Sequence, residues 1–200
     1  MTDVVSAFSK ARIDRYRLPG EGDGAALDRY FDNCRVIGRF YLPLNVFEIV
    51  TRNGCAAQLT YSYGERWFDD RRLKSWLKPH YRNAVEKAVA DIQSEDLPVV
   101  SDRVISMMTL GFWSHVKTRR AQVDIWRRGW KINFPNGFAA GKQLADLHAV
   151  IERTRDIRNR AFHHYAVFDR NVDQLIEDLV EAVGWRSSGA RERLRRELAR

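Results

Sequence analysis

A chain of 200 residues is long enough to bury one substantial core without disulfide or metal support, and a second full domain is not expected. Its 34 Lys plus Arg against 26 Asp plus Glu leave a formal charge of +8, which favours a polyanionic partner such as nucleic acid over an acidic protein surface, with lipid the weaker alternative. The longest apolar run, Ile37 to Val50, is broken by Arg39, Asn45 and Glu48, so no segment approaches the ~20 apolar residues of a membrane span.

Met1 to Lys10 carries Asp3 and no apolar h-region, so the expected location is the cytoplasm. Apolar residues recur at helical spacing nearly throughout and alternating patterns are scarce, which predicts an all-α bundle. Gly20 to Gly24 separates a short first helix from a long one over about Ala25 to Tyr61, where Pro43 should introduce a kink. Cys34 and Cys55 lie far apart without CxxC or nearby histidine partners; no disulfide, zinc site or other cofactor is expected, and any catalysis should proceed without a protein-bound metal. Further helices are predicted over Arg71 to Lys78, Tyr81 to Gln93, Ser101 to Lys117 and Ala121 to Lys131. Phe134-Pro135-Asn136-Gly137 then reads as a turn, followed by helices near Gly141 to His164 and Asn171 to Val183. Residues 1–185 are expected to form a single domain with its core over about 25–185, leaving 186–200 as a basic tail with six arginines against two glutamates.

One octet concentrates chemistry: Arg158-Asn159-Arg160-Ala161-Phe162-His163-His164-Tyr165. On a regular helix Asn159 and His163 share a face while Arg158 lies roughly 140° from His163, so Arg158 and His163 meet only through a distortion, a reaching arginine or a second chain. The bland alternative is a basic helix end with solvated arginines and an imidazole capping the last carbonyls.

The octet resembles the R-x4-H signature of HEPN ribonucleases, and its R-N-R-x-x-H-H run is similar to the bacterial Abi-like, or abortive-infection, branch. Similarity continues in Asn45-Val46-Phe47-Glu48-Ile49-Val50-Thr51-Arg52-Asn53, akin to a family L-E-V-x-L-R-N helix, and in Leu110-Gly111-Phe112-Trp113, akin to F-G-F-W. Trp126 with Phe134-Pro135 fits W-x7-F-P, and the whole resemblance spans roughly residues 25–185. It implies a HEPN-type helical bundle with additional helices, a homodimer with both motifs at one cleft, and metal-independent RNA endonuclease activity as an abortive-infection or toxin-type defence effector. The catalytic residues would be Arg158, Asn159 and His163. An antitoxin or nucleotidyltransferase partner is also implied, and the alternative is a catalytically inactive HEPN module that binds RNA or a partner.

Two departures stand out. Tyr165 replaces a common glutamate and creates the R-x4-H-x-Y form of toxins modified at the tyrosine, although an aromatic at a helix end more often packs. Ala161-Phe162 replaces a small residue. His164, Tyr165, Arg160, Glu48, Arg52 and Asn53 are candidate supporting residues, Glu48 and Arg52 also being placed for an ordinary i, i+4 ion pair. Lys117, Arg119, Arg120, Arg127, Arg128 and Lys131 interleave with Trp126 and Trp130 as an RNA-binding strip, unless the indoles are core and the cations a solvated face. His80, His115 and His148 are dispersed and read as structural or exposed and not as catalytic.

Overall fold

The computed structural model describes residues 2–117, 125–126, 129–168 and 170–200, which hold helices and no strand among them. Helices α1 (Thr2–Phe8) and α2 (Lys10–Ile13) and a 3-10 turn (Asp14–Tyr16) lead into α3 (Asp23–Tyr63). A second 3-10 turn (Trp67–Asp69) precedes α4 (Arg71–Trp76), α5 (Pro79–Ser94), α6 (Ser101–Met107) and α7 (Leu110–His115). The rest comprises α8 (Gly129–Asn133), α9 (Pro135–Ala139), α10 (Leu144–Phe162), α11 (Val172–Arg186) and α12 (Ser188–Leu198).

The organising element is α3, whose 41 residues bury Phe40, Leu44, Phe47, Thr51, Cys55 and Gln58 along one stripe. Steps of three and four keep those positions on one side of a 3.6-residue helix, and that side packs chiefly against α11. Trp67, Trp113 and Phe134 fill the remaining core, each fully buried aromatic contributing on the order of 2 kcal/mol in apolar transfer. At Gly129 the approach of α8 to α3 is so close that an added Cβ would lie 1.4 Å from Gln58 Oε1. The first segment packs a small cluster of Val5, Ile13 and Ala26 against the opening turns of α3.

Three expectations change. The helix predicted over Ser101 to Lys117 is two helices, because Met108 and Thr109 are extended and the Thr109 hydroxyl accepts from the Phe112 N–H at 3.3 Å, capping α7. The turn predicted at Phe134 to Gly137 is the start of α9, since the fixed φ of Pro135 suits a first helical position. The basic tail is docked: Leu194 of α12 is buried, and Arg195 meets Glu181 of α11 at 3.1 Å. Helix α3 passes through the buried Pro43 without interruption. Most of the helix predicted over Ala121 to Lys131 lies outside the described residues. Among the described residues no helix is long and apolar enough to cross a membrane.

Candidate functional site

Helix α10 begins with a reciprocal capping box between Gln143 and Asp146. It buries Leu144, Leu147, Ile151, Thr154, Ile157 and Ala161, a spacing that turns Asn159 and Phe162 outward and leaves Arg158 half-buried at the edge. The helix stops within the motif. His163 is the C-cap, the His164 N–H donates to the Ala161 carbonyl at 3.0 Å, and the Tyr165 N–H donates to the Arg160 carbonyl at 2.8 Å. That bond pair is a Schellman closure with His164 in the left-handed position at φ 57°. Backbone N–H groups, and not the imidazoles, therefore satisfy these carbonyls, which corrects the simple capping reading of the two histidines.

The segment after the helix is held from three directions. Arg160 Nε and Nη2 donate to the Ala166 carbonyl at 3.1 and 2.9 Å, so this arginine clamps its own loop. Asn33, buried in α3, accepts from the Val167 N–H at 2.7 Å and donates to the Tyr16 hydroxyl at 3.3 Å. That hydroxyl in turn donates to the His164 carbonyl at 3.4 Å, and the Arg15 guanidinium lies 5.2 Å from the Tyr165 ring centre. The turn carrying Arg15 and Tyr16 is tied down by Arg29, which bonds Glu21 at 2.6 Å and the Tyr16 carbonyl at 2.5 Å. Hydrogen bonds from Arg29 hold the Glu21 carboxyl down at about 2. Sequence reasoning missed Arg15, Tyr16 and Asn33; the one available signal was a polar Asn33 on an otherwise apolar helix face.

Arg158 is anchored from α3. Its Nε lies 3.1 Å from Glu48 Oε1, and its guanidinium carbon sits 5.4 Å from the Phe162 ring centre. The i, i+4 pair expected between Glu48 and Arg52 is not formed; among the described residues Glu48 pairs across to Arg158 instead. Burial pushes the Glu48 carboxyl upward while Arg158 and Arg52 pull it down. The ion pair lacks hydrogen-bond alignment, since Glu48 Oε1 has no hydrogen-bond partner. Arg52 joins Glu48 in lining a crevice against Trp113, whereas Asn53 is exposed. Asn159, His163 and His164 all present their side chains to solvent. The arrangement is an anchored cation at the helix edge and, at the end of the same helix, exposed imidazoles. Such a set can hold a phosphate and exchange protons with it.

The proposed strip is altered by the structure. Lys117 is 1% exposed, with its Nζ lacking a hydrogen-bond partner and its pKa pushed down by burial. It cannot meet a phosphate from that position. Trp126 is buried with its indole N–H on the Val116 carbonyl at 2.6 Å, and Trp130 stacks on Phe134, so both indoles serve packing. Lys131 is exposed, its Nζ 5.5 Å from the Phe138 ring centre. Arg119, Arg120, Arg127 and Arg128 lie outside the described residues. His115 stacks on Tyr81, His80 contacts the same ring, and His148 Nδ1 is 3.4 Å from Ser114 Oγ. Comparison with protein families, curated proteins and solved structures finds no match to this chain.

Proposed function

We propose that this chain is a metal-independent RNA endonuclease of the HEPN, Abi-like type, acting as a toxin or phage-defence effector through a composite site on a homodimer. The observation that carries the reading is the Arg158–Glu48 contact at 3.1 Å, which fixes a half-exposed guanidinium on the last turns of α10, the helix end that also carries exposed Asn159 and His163. The resemblance of Arg158 to His164 to R-N-R-x-x-H-H supports it, as does the +8 charge.

In the proposed reaction the RNA 2′-hydroxyl attacks its own phosphorus, one imidazole removes the hydroxyl proton, and a second protonates the departing 5′-oxygen. The products are a 2′,3′-cyclic phosphate and a 5′-hydroxyl end. Each chain contributes one His163, so two chains supply both groups, and histidine holds either protonation state near neutrality. Arg158 and Asn159 offer N–H donors to the phosphoryl oxygens as charge builds on them.

A defined RNA incubated with purified protein should yield cyclic-phosphate ends. His163→Ala should lower cleavage by about 10²–10⁴-fold while keeping the fold and most RNA affinity, and Arg158→Ala should weaken both. Near-normal cleavage by folded His163→Ala, or cleavage by a stable monomer in sedimentation, removes this mechanism. One observation favours the second reading, a silent module that binds RNA or a partner. The exposed His163 imidazole makes no hydrogen bond among the described residues to orient its ring, and saturable binding without products would select that reading. Tyr165 is exposed enough to be modified by a partner nucleotidyltransferase. Mass spectrometry after co-expression tests this, and neutralised toxicity with unmodified Tyr165 would exclude it.

A further inference from the structure

Between α3 and the α6–α7 corner lies a crevice of about 170 Å³, with Asn45, Glu48 and Arg52 on one side and Trp113 on the other. Two of its N–H groups, Arg52 Nε and Trp113 Nε1, are shut off from solvent without any hydrogen-bond partner, and Glu48 Oε1, equally shut off, is held by the Arg158 charge at 3.1 Å without an aligned hydrogen bond. Trp113 is itself only 1% exposed. Two unpartnered N–H groups among the residues lining one small crevice are unusual, because buried N–H groups nearly always find acceptors and lose free energy when they do not. The Asn45 amide donates to the Tyr41 carbonyl at 2.9 Å, which leaves its own oxygen as an acceptor. Ile49 and Leu110 add apolar wall.

This mixture of groups discriminates among ligands. A phosphate offers only acceptors and would meet the Glu48 carboxylate; an ammonium offers only donors and would meet Arg52. A planar base offers both on one rim. Guanine places N1–H and the N2 amine side by side, matching a carboxylate, and carries O6 and N7 for the arginine and indole N–H groups. We infer that the crevice is a guanine-recognition pocket, with Glu48 reading the donor edge and Arg52 and Trp113 the acceptor edge. The inference rests on the RNA reading above and deepens it. Glu48 is shared with Arg158, so a base seated on Glu48 lies beside the cation assigned to the phosphate, and cutting should occur next to guanosine.

Two measurements on the full chain separate the pocket from the catalysis. In the first, indole N–H resonances of ¹⁵N-labelled protein are followed during titration with GMP, IMP, AMP and UMP, the Trp113 signal being assigned by its loss in Trp113→Phe. GMP should move that signal saturably. IMP, which lacks the N2 amine, should bind about 5- to 150-fold more weakly, the range expected for one bidentate base contact. No movement with GMP, or equal movement with UMP, overturns the pocket. In the second, oligouridylate carrying a single G, A, C or inosine is incubated with wild type and with Arg52→Lys, which keeps the charge but loses the Nε–H. Wild type should cut beside G, and Arg52→Lys should lose the preference. Cleavage indifferent to the base overturns the pocket and leaves the endonuclease standing, whereas a GMP-specific shift without cleavage overturns the endonuclease and leaves the pocket.

Discussion

His164 and His163 are neighbours with opposite expected roles, and substitution at His164 separates them. The backbone of His164 is left-handed, with φ 57°, at the closing position of α10. An L-residue pays roughly 1–2 kcal/mol for that conformation, and glycine gives back roughly 0.5–1 of the relief as lost unfolded-state entropy. His164→Gly should therefore stabilise the protein by about 0.5–1 kcal/mol. For a chain of this size that raises Tm by about 1–4 °C. His164→Val, β-branched and poorly suited to positive φ, should destabilise by about 1 kcal/mol or more. Thermal and urea unfolding followed by circular dichroism give both values, and RNA cleavage measured on the same samples should persist in His164→Gly. A destabilised His164→Gly, or a His164→Val as stable as wild type, would refute the strain argument. A stable His164→Gly that no longer cuts RNA would instead move the catalytic imidazole from His163 to His164.

Lys117→Met should stabilise the fold by about 1–3 kcal/mol, because a cation buried without a hydrogen-bond partner gives way to apolar volume. Burial depresses the folded-state Lys117 pKa, so between that value and the unfolded value of about 10.4 the unfolded chain binds more protons and wild-type stability rises with pH. The advantage of Lys117→Met should shrink over that window, and urea titrations at a series of pH values check it. Asn33→Ala should cost about 1–3 kcal/mol by orphaning the buried Val167 N–H, and hydrogen exchange at Val167 should accelerate. Gly129→Ala should cost about 2 kcal/mol or more, because the new Cβ displaces a Gln58 amide that bonds the Ile125 carbonyl and Asn133; unchanged thermal stability would refute the close contact.

The helical character and the approximate end of the motif helix were legible because apolar spacing is a local signal. Thr109 was a readable cap overlooked within an apolar run, and Pro135 a helix starter mistaken for a turn. The Glu48 partner was not readable in this way. An i, i+4 rule compares residues one turn apart, whereas Arg158 reaches Glu48 through the folded arrangement of α3 and α10. Lys117 failed for a related reason: its composition class predicts a surface cation, and only packing around α7 puts it inside. The grips on the motif loop from Arg15, Tyr16 and Asn33 likewise depend on where the chain's first residues fold back, which no nearby pattern encodes.

Helix α3 makes two separate attachments to the motif region, Asn33 to the Val167 N–H and Glu48 to Arg158. At 1.5 Å per residue the interval from 33 to 48 spans about 22 Å, and adding or deleting one residue within it would rotate one attachment by about 100° relative to the other. The solvent side of this interval, including Arg35 and Tyr41, can therefore vary widely in residue type. Its length cannot vary. Related chains carrying the same two attachments should differ by substitution along this interval and by insertion only outside it.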